Sequence, residues 1–202
     1  MTPTTNYRRA LRRPQDVLTR LRRIRRLGRS PSWRRAQLIA TAQAATVAAD
    51  ASRQGLDPAE YIGLLPALRV ERTPYVPVDA VSFYDRRANQ WAIHVRSTES
   101  REVQRYAVLR EFKRILDQPV IHRLYSPHAD RGHQESRLAA DDFARQVLMP
   151  DNALKAALRH GAADPVELGE RFGISPERVT QRLIELDIGV PAATQAGGRR
   201  HG

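Results

Sequence analysis

The chain has 202 residues, with 34 Lys and Arg against 22 Asp and Glu for a formal net charge of +12, 41% hydrophobic residues and no cysteine. This length and apolar content suit one moderate domain with appendages, and the lack of cysteine excludes disulfides, thiolate metal ligands and cysteine nucleophiles. The most apolar stretch, Leu38 to Ala49, is interrupted by Thr41, Gln43 and Thr46 and is too short to span a bilayer, and the first residues lack the apolar core of a secretory signal, so a cytoplasmic protein is expected.

The charge lies at the start of the chain. Residues 1–35 carry twelve arginines (Arg8, Arg9, Arg12, Arg13, Arg20, Arg22, Arg23, Arg25, Arg26, Arg29, Arg34 and Arg35) against the single acid Asp16, a net +11 that leaves only +1 for everything after. Within this arm Pro14 can open and Gly28 close an amphipathic helix whose apolar stripe is Val17, Leu18, Leu21, Ile24 and Leu27. Ser30-Pro31, as cap and first turn, predicts a second, alanine-rich helix running to Gln54, and Asp57-Pro58 a shorter one ending near Leu64. From Arg69 the period becomes two. Val81, Phe83 and Tyr84, the turn-forming Asp85 to Asn89, and the alternation of Trp91, Ile93 and Val95 with polar residues predict a β-hairpin, to which Leu68 to Thr73 can add a strand.

Two helical segments follow: Tyr106-Ala-Val-Leu-Arg-Glu-Phe-Lys-Arg-Ile-Leu116, on a helix from about Ser100, and Ala139-Ala-Asp-Asp-Phe-Ala-Arg-Gln-Val-Leu-Met-Pro150. Together they resemble the two signature segments of the ImmA/IrrE family of zincin-like metallopeptidases, which is often found in phage and mobile-element regulation. The first signature, A-x-H-E-x-x-H-x-L/I-L, falls on Val108, Arg110, Glu111, Arg114 and Leu116. The second, E-x-x-A-N-x-F-A-x-x-L-L-M-P, falls on Ala140, Phe143, Ala144, Leu148, Met149 and Pro150. The resemblance places the three zinc-ligand positions on Arg110, Arg114 and Arg137 and the general base on Glu111. Arginine has no lone pair to donate and stays protonated, so none of the three can ligate. At ~4 Å and an effective dielectric of ~20, each would repel a dication by roughly 8 kcal/mol. The expectation is a pseudo-metallopeptidase with no metal and no catalytic residues, whose three arginines either bind an anion or pair internally with Glu111, Glu135 and Asp141.

Two other readings stay open. Arg110 and Arg114 can be the solvated face of an ordinary amphipathic helix. Alternatively, a zinc-dependent protease can draw relocated ligands from His122, His128, His133 and Glu135, in a connection whose Ser126, Pro127, Asp130 and Gly132 look like an exposed loop.

After a helix at about Asn152 to Arg159, residues 164–187 form a candidate helix-turn-helix, with Ser175 capping its second helix and Arg178, Gln181 and Arg182 facing outward. Three arginines against six acids give this segment a net −3, which suits packing or a protein partner better than phosphate contact. The arm is the stronger nucleic-acid candidate, for DNA in particular, since its arginines suit phosphates and its few aromatics do not suit base stacking. The predicted fold is α+β: zincin-like helices with a small antiparallel sheet, a basic helical arm (1–35), a pseudo-peptidase domain (36–160), a helix-turn-helix-like unit (161–189) and a disordered tail (190–202). The expected function is a nucleic-acid-associated regulatory or scaffold protein, and an adaptor that binds only proteins is the alternative.

Overall fold

The computed structural model describes residues 15–24, 28–162 and 164–188. The arm's Arg8, Arg9, Arg12, Arg13, Arg25 and Arg26, and the tail from Pro191, lie outside the described residues. Two compact units divide after Pro150, and the fold is α+β.

In the first unit, helix α1 (Gln15–Arg23) carries Val17, Leu18 and Leu21 of the predicted stripe, with Leu18 and Leu21 buried, whereas Ile24 follows its end and Leu27 lies outside the described residues. It is not a free arm. Two of its links run to main-chain carbonyls near helix ends: Gln43 Nε2 donates to Leu21 O at 3.0 Å, and Arg22 donates to Ile115 O at 2.9 Å. Arg20 pairs with buried Asp50, which also receives Arg53 and the Tyr61 hydroxyl.

Helix α2 (Trp33–Arg53) starts two residues later than the sequence predicts, with Ser32 rather than Ser30 at the cap. Trp33, at the first helical position, packs on a cluster of Ala36, Ile39, Leu124, Tyr125 and Ala139, which fixes where the first turn begins. The small buried residues Ala36, Ala40 and Ala44 let neighbouring helices come close. Helix α3 (Pro58–Gly63) begins as predicted, with Asp57 accepting from Ala59 N and Glu60 N.

Strands β1 (Leu68–Thr73), β2 (Ala80–Asp85) and β3 (Gln90–Arg96) form one sheet in the order β1-β3-β2. The hairpin is antiparallel, with Ala80 opposite Val95, but β1 runs parallel to β3, with Leu68 beside Trp91, so the sheet is mixed where the sequence suggests an antiparallel one. The cause is the insertion of β3 between the first two strands. The segment from Pro74 to Asp79 passes across the end of β3, held by Ser97 N to Thr73 O and Arg96 N to Asp79 O.

Helix α4 (Arg101–Asp117), capped by Ser100, buries Tyr106, Leu109, Phe112, Ile115 and Leu116. Lys113 and Asp117, one turn apart, are buried with them. Lys113 Nζ donates to Gln43 Oε1 at 2.9 Å and to Asp117 Oδ1 at 2.8 Å, and the Tyr125 hydroxyl donates to Asp117 Oδ2. Burial raises the Tyr125 pKa, and the Asp117 carboxylate adds to the rise.

The expected loop between the signature helices is mostly helical. A 3-10 turn (Gln118–Val120) leads to helix α5 (Ile121–Leu124), and helix α6 (Ala129–Leu148) already contains His133 and Glu135, with His128 at its cap. Gly132, which in the sequence signals a turn, serves close approach here: a Cβ on it would sit 2.4 Å from Ser126 O. Glu135 accepts from Ser126 N and pairs with Arg131, which ties the first turns of α6 to the segment before it.

The second unit holds α7 (Asp151–Arg159), α8 (Pro165–Phe172) and α9 (Pro176–Glu185). Gly173 closes α8 in the left-handed conformation at φ +60°, where a side chain is disfavoured. Ser175 occupies the cap position of α9 but makes no side-chain capping bond, contrary to expectation. Arg182, expected to face outward, is instead buried and paired with Asp151 and Glu185, because an arginine among Val179 and Leu183 needs carboxylates at its head. Gln181 is exposed and Arg178 half-buried.

Lys113→Met leaves the Asp117 carboxylate buried without its cation, so chemical denaturation is expected to show a loss of about 3 kcal/mol or more. The Tyr61 hydroxyl has its pKa pushed up to about 12, first by burial and then by Asp50. A raised folded-state pKa gives stability that is fully present below the ordinary tyrosine value and is lost as pH rises through the folded one. Tyr61→Phe is therefore expected to cost about 1 kcal/mol at pH near 9. Its stability should also fall less steeply than that of the unaltered protein between pH 10 and 12, in denaturant titrations over that range.

Candidate functional site

On α4, Ala107, Arg110, Glu111 and Arg114 sit at i, i+3, i+4 and i+7, so helical geometry places them on one face. That face forms one wall of a cleft of about 440 Å³, whose lining also includes Pro77, Val78, Asp79, Ala80, Arg96 and Arg137. The three arginines and the glutamate singled out in the sequence thus share one cavity, although Arg137 lies a helix away on α6.

Glu111 is nearly fully buried, and both of its oxygens are engaged. Ser82 Oγ donates to Oε2 and Arg114 to Oε1, each at 2.7 Å. Ser82 can do this because the inward face of β2, set by Ala80, lies against α4. Arg110 pairs with Asp141 at 3.0 Å, and the Tyr106 hydroxyl donates to the same residue's carbonyl and carboxylate. Arg96 donates to Val76 O and pairs with Glu99. Arg137 is exposed and has no hydrogen bond or ion pair among the described residues.

The expected internal pairing thus takes the form Arg114 to Glu111 and Arg110 to Asp141, while Glu135 is committed elsewhere, to Ser126 N and Arg131. Zinc does not fit this donor set, because guanidinium groups offer no lone pair and the lining's two carboxylates, Asp79 and Glu111, do not make up a group of three ligands.

The relocated ligand set is not assembled. His122, His128 and His133 are all exposed, spread over α5, the cap of α6 and its second turn, and among the described residues no three His, Cys, Asp or Glu are grouped to hold a metal ion. Of the arm's described arginines, Arg20 and Arg22 are turned to internal work and Arg35 donates to Ser30 O, whereas Arg23, Arg29 and Arg34 are exposed.

Arg96 and Asp79 in the cleft, and Ser82, which holds Glu111 at its wall, are not singled out by the sequence. Ser82 has a local signal, being the polar residue on the inward face of a strand. Arg96 and Asp79 have none, since only the passage of residues 74–79 across β3 brings them to the cleft.

A family model described as the IrrE N-terminal-like domain matches residues 67–183, more than half of the chain. No curated protein matches the chain.

Ser82→Ala removes the hydroxyl from a buried carboxylate oxygen and is expected to cost about 1–2 kcal/mol in denaturant unfolding. Arg137→Ala touches an exposed, unpaired side chain and is expected to stay within about 0.5 kcal/mol of the parent.

Proposed function

We infer that this chain, which belongs to the family of the IrrE N-terminal-like domain, is a pseudo-metallopeptidase that keeps the scaffold as a binding platform and associates with nucleic acid through its arginine-rich arm. The observation that carries the first half is the cleft. The positions that the signature resemblance assigns to the family's ligands are Arg110, Arg114 and Arg137, which line it, and the glutamate that it assigns to the general base is held by Ser82 and Arg114. The general base of such a site acts on a metal-bound water, and three arginines cannot hold the metal that would supply one.

The second half rests on charge. Twelve arginines within 35 residues suit phosphate contact, and duplex DNA presents one negative charge per ~1.7 Å of axis. Docking of α1 sharpens the assignment to Arg8, Arg9, Arg12, Arg13, Arg23, Arg25, Arg26, Arg29 and Arg34, because Arg20, Arg22 and Arg35 bond within the protein. The pair α8 and α9 suits a protein contact rather than a DNA groove. Its segment carries net −3, and Arg182 is turned inward.

Removing residues 1–35 is a poor test, since Leu18 and Leu21 would leave the core with them. Substituting Arg8, Arg9, Arg12 and Arg13 with Gln spares both. DNA binding measured over a salt series is expected to weaken in this variant, with the slope of log Kobs against log salt falling by about 0.9 for each phosphate no longer neutralised. An unchanged slope counts against the arm. Metal analysis of the purified protein is expected to find no stoichiometric zinc, and one equivalent would defeat the pseudo-peptidase reading.

A further inference from the structure

We propose that the arginine-lined cleft binds the free carboxylate at the end of an extended peptide. The proposal deepens the reading above and rests on it, because it requires the cleft to be free of metal.

The donor inventory points to a ligand rich in acceptors. A guanidinium has five N–H donors. Arg114 uses one on Glu111, Arg96 uses one on Val76 O and one on Glu99, and Arg137 uses none among the described residues. On the acceptor side each Glu111 oxygen already accepts one hydrogen bond, and Asp79 is the other carboxylate in the lining, so the unused donors outnumber the acceptors. A carboxylate matches the planar guanidinium fork and brings the negative charge that the cleft lacks.

The sheet indicates how the carboxylate arrives. In the order β1-β3-β2, strand β2 lies at an edge. Arg96 N donates to Asp79 O at 2.9 Å, so Asp79 and Arg96 form a bonded pair, and antiparallel alternation turns the backbone groups of Ala80, Ser82 and Tyr84 away from β3 toward the outer edge. Ala80 lines the cleft. An extended chain that pairs with this edge and ends at Ala80 delivers its terminal carboxylate to the arginines.

A nucleic-acid phosphate suits the place less well. Asp79 within the cleft, and Glu99 and Asp141 on its arginines, oppose a polyanion but tolerate a single charge. The neighbouring exposed Tyr75 and Val78 offer apolar contact that a peptide can use.

The test follows the Nε–Hε signals of Arg114 and Arg137 by NMR in the full-length protein. An acetylated pentapeptide pool with free carboxyl ends is added into the millimolar range, beside the same pool amidated and beside inorganic phosphate. The free-acid pool is expected to shift both signals, with the amidated pool at least about tenfold weaker, as loss of a charge-assisted bond implies. Arg137→Ala is expected to abolish the response at Arg114. Equal response to acid and amide, no response to either, an undiminished shift in Arg137→Ala, or a phosphate response as strong as that of the peptide each overturns the proposal. Zinc content of the same sample keeps the two readings apart. One equivalent of zinc defeats the pseudo-peptidase reading, whereas the peptide result in zinc-free protein decides the carboxylate site alone.

Discussion

The buried ammonium of Lys113 is the constraint around which the first unit is arranged. An isolated charge in such a place costs several kcal/mol, so it persists only where oxygens surround it. Gln43 from α2 and Asp117 from the next turn of α4 supply them, and the Tyr125 hydroxyl holds the far oxygen of Asp117. Gln43 directs its remaining amide end to the carbonyl of Leu21, so the chain of hydrogen bonds runs from α1 through α2 and α4 to the segment after α5. Each link fixes the register of one element against another. Apolar packing alone tolerates sliding between alanine-rich helices, but a buried hydrogen-bonded charge does not.

The same helix that carries Lys113 also builds the cleft. Lys113 and Arg114 are adjacent in sequence, and the rotation of about 100° per residue that follows from 3.6 residues per turn sends one into the core and the other toward β2. The polar network behind α4 and the Ser82–Glu111–Arg114 contacts in front of it hold opposite sides of one helix. The arginines of the cleft are therefore presented from a fixed backbone, which favours recognition of a defined group over diffuse attraction of counterions.

Charge is used in two different ways along this chain. After residue 35 acidic and basic residues are nearly equal in number, and some arginines pair with carboxylates, as in Arg110 with Asp141, Arg105 with Asp57 and Arg182 with Asp151. Such pairs set geometry and add little net stability where they are exposed. The excess is confined to residues 1–35, and α1 divides even these: Arg20 and Arg22 bond inside, while Arg23 remains outside. A basic helix identified by composition alone thus serves partly as a structural element.

The helices and the hairpin were legible in the sequence because their signals are local: Asp57-Pro58 at a helix start, the alternation from Val81 to Val95, and the apolar stripe of Leu18 and Leu21. The residue types at Arg110, Glu111, Arg114 and Arg137 were likewise enough to exclude them as a zinc-binding set, since the lack of a lone pair on guanidinium does not depend on context. Tertiary structure alone decided that β1 lies parallel to β3, that Gly132 marks a close approach rather than a loop, and that Arg182 turns inward. It also decided that Arg137 joins α4 at one cleft with Asp79 and Arg96, and that Ser82 reaches Glu111. Those outcomes depend on residues far apart in the chain competing for the same donors, acceptors and space, and a local pattern carries no information about which partner wins.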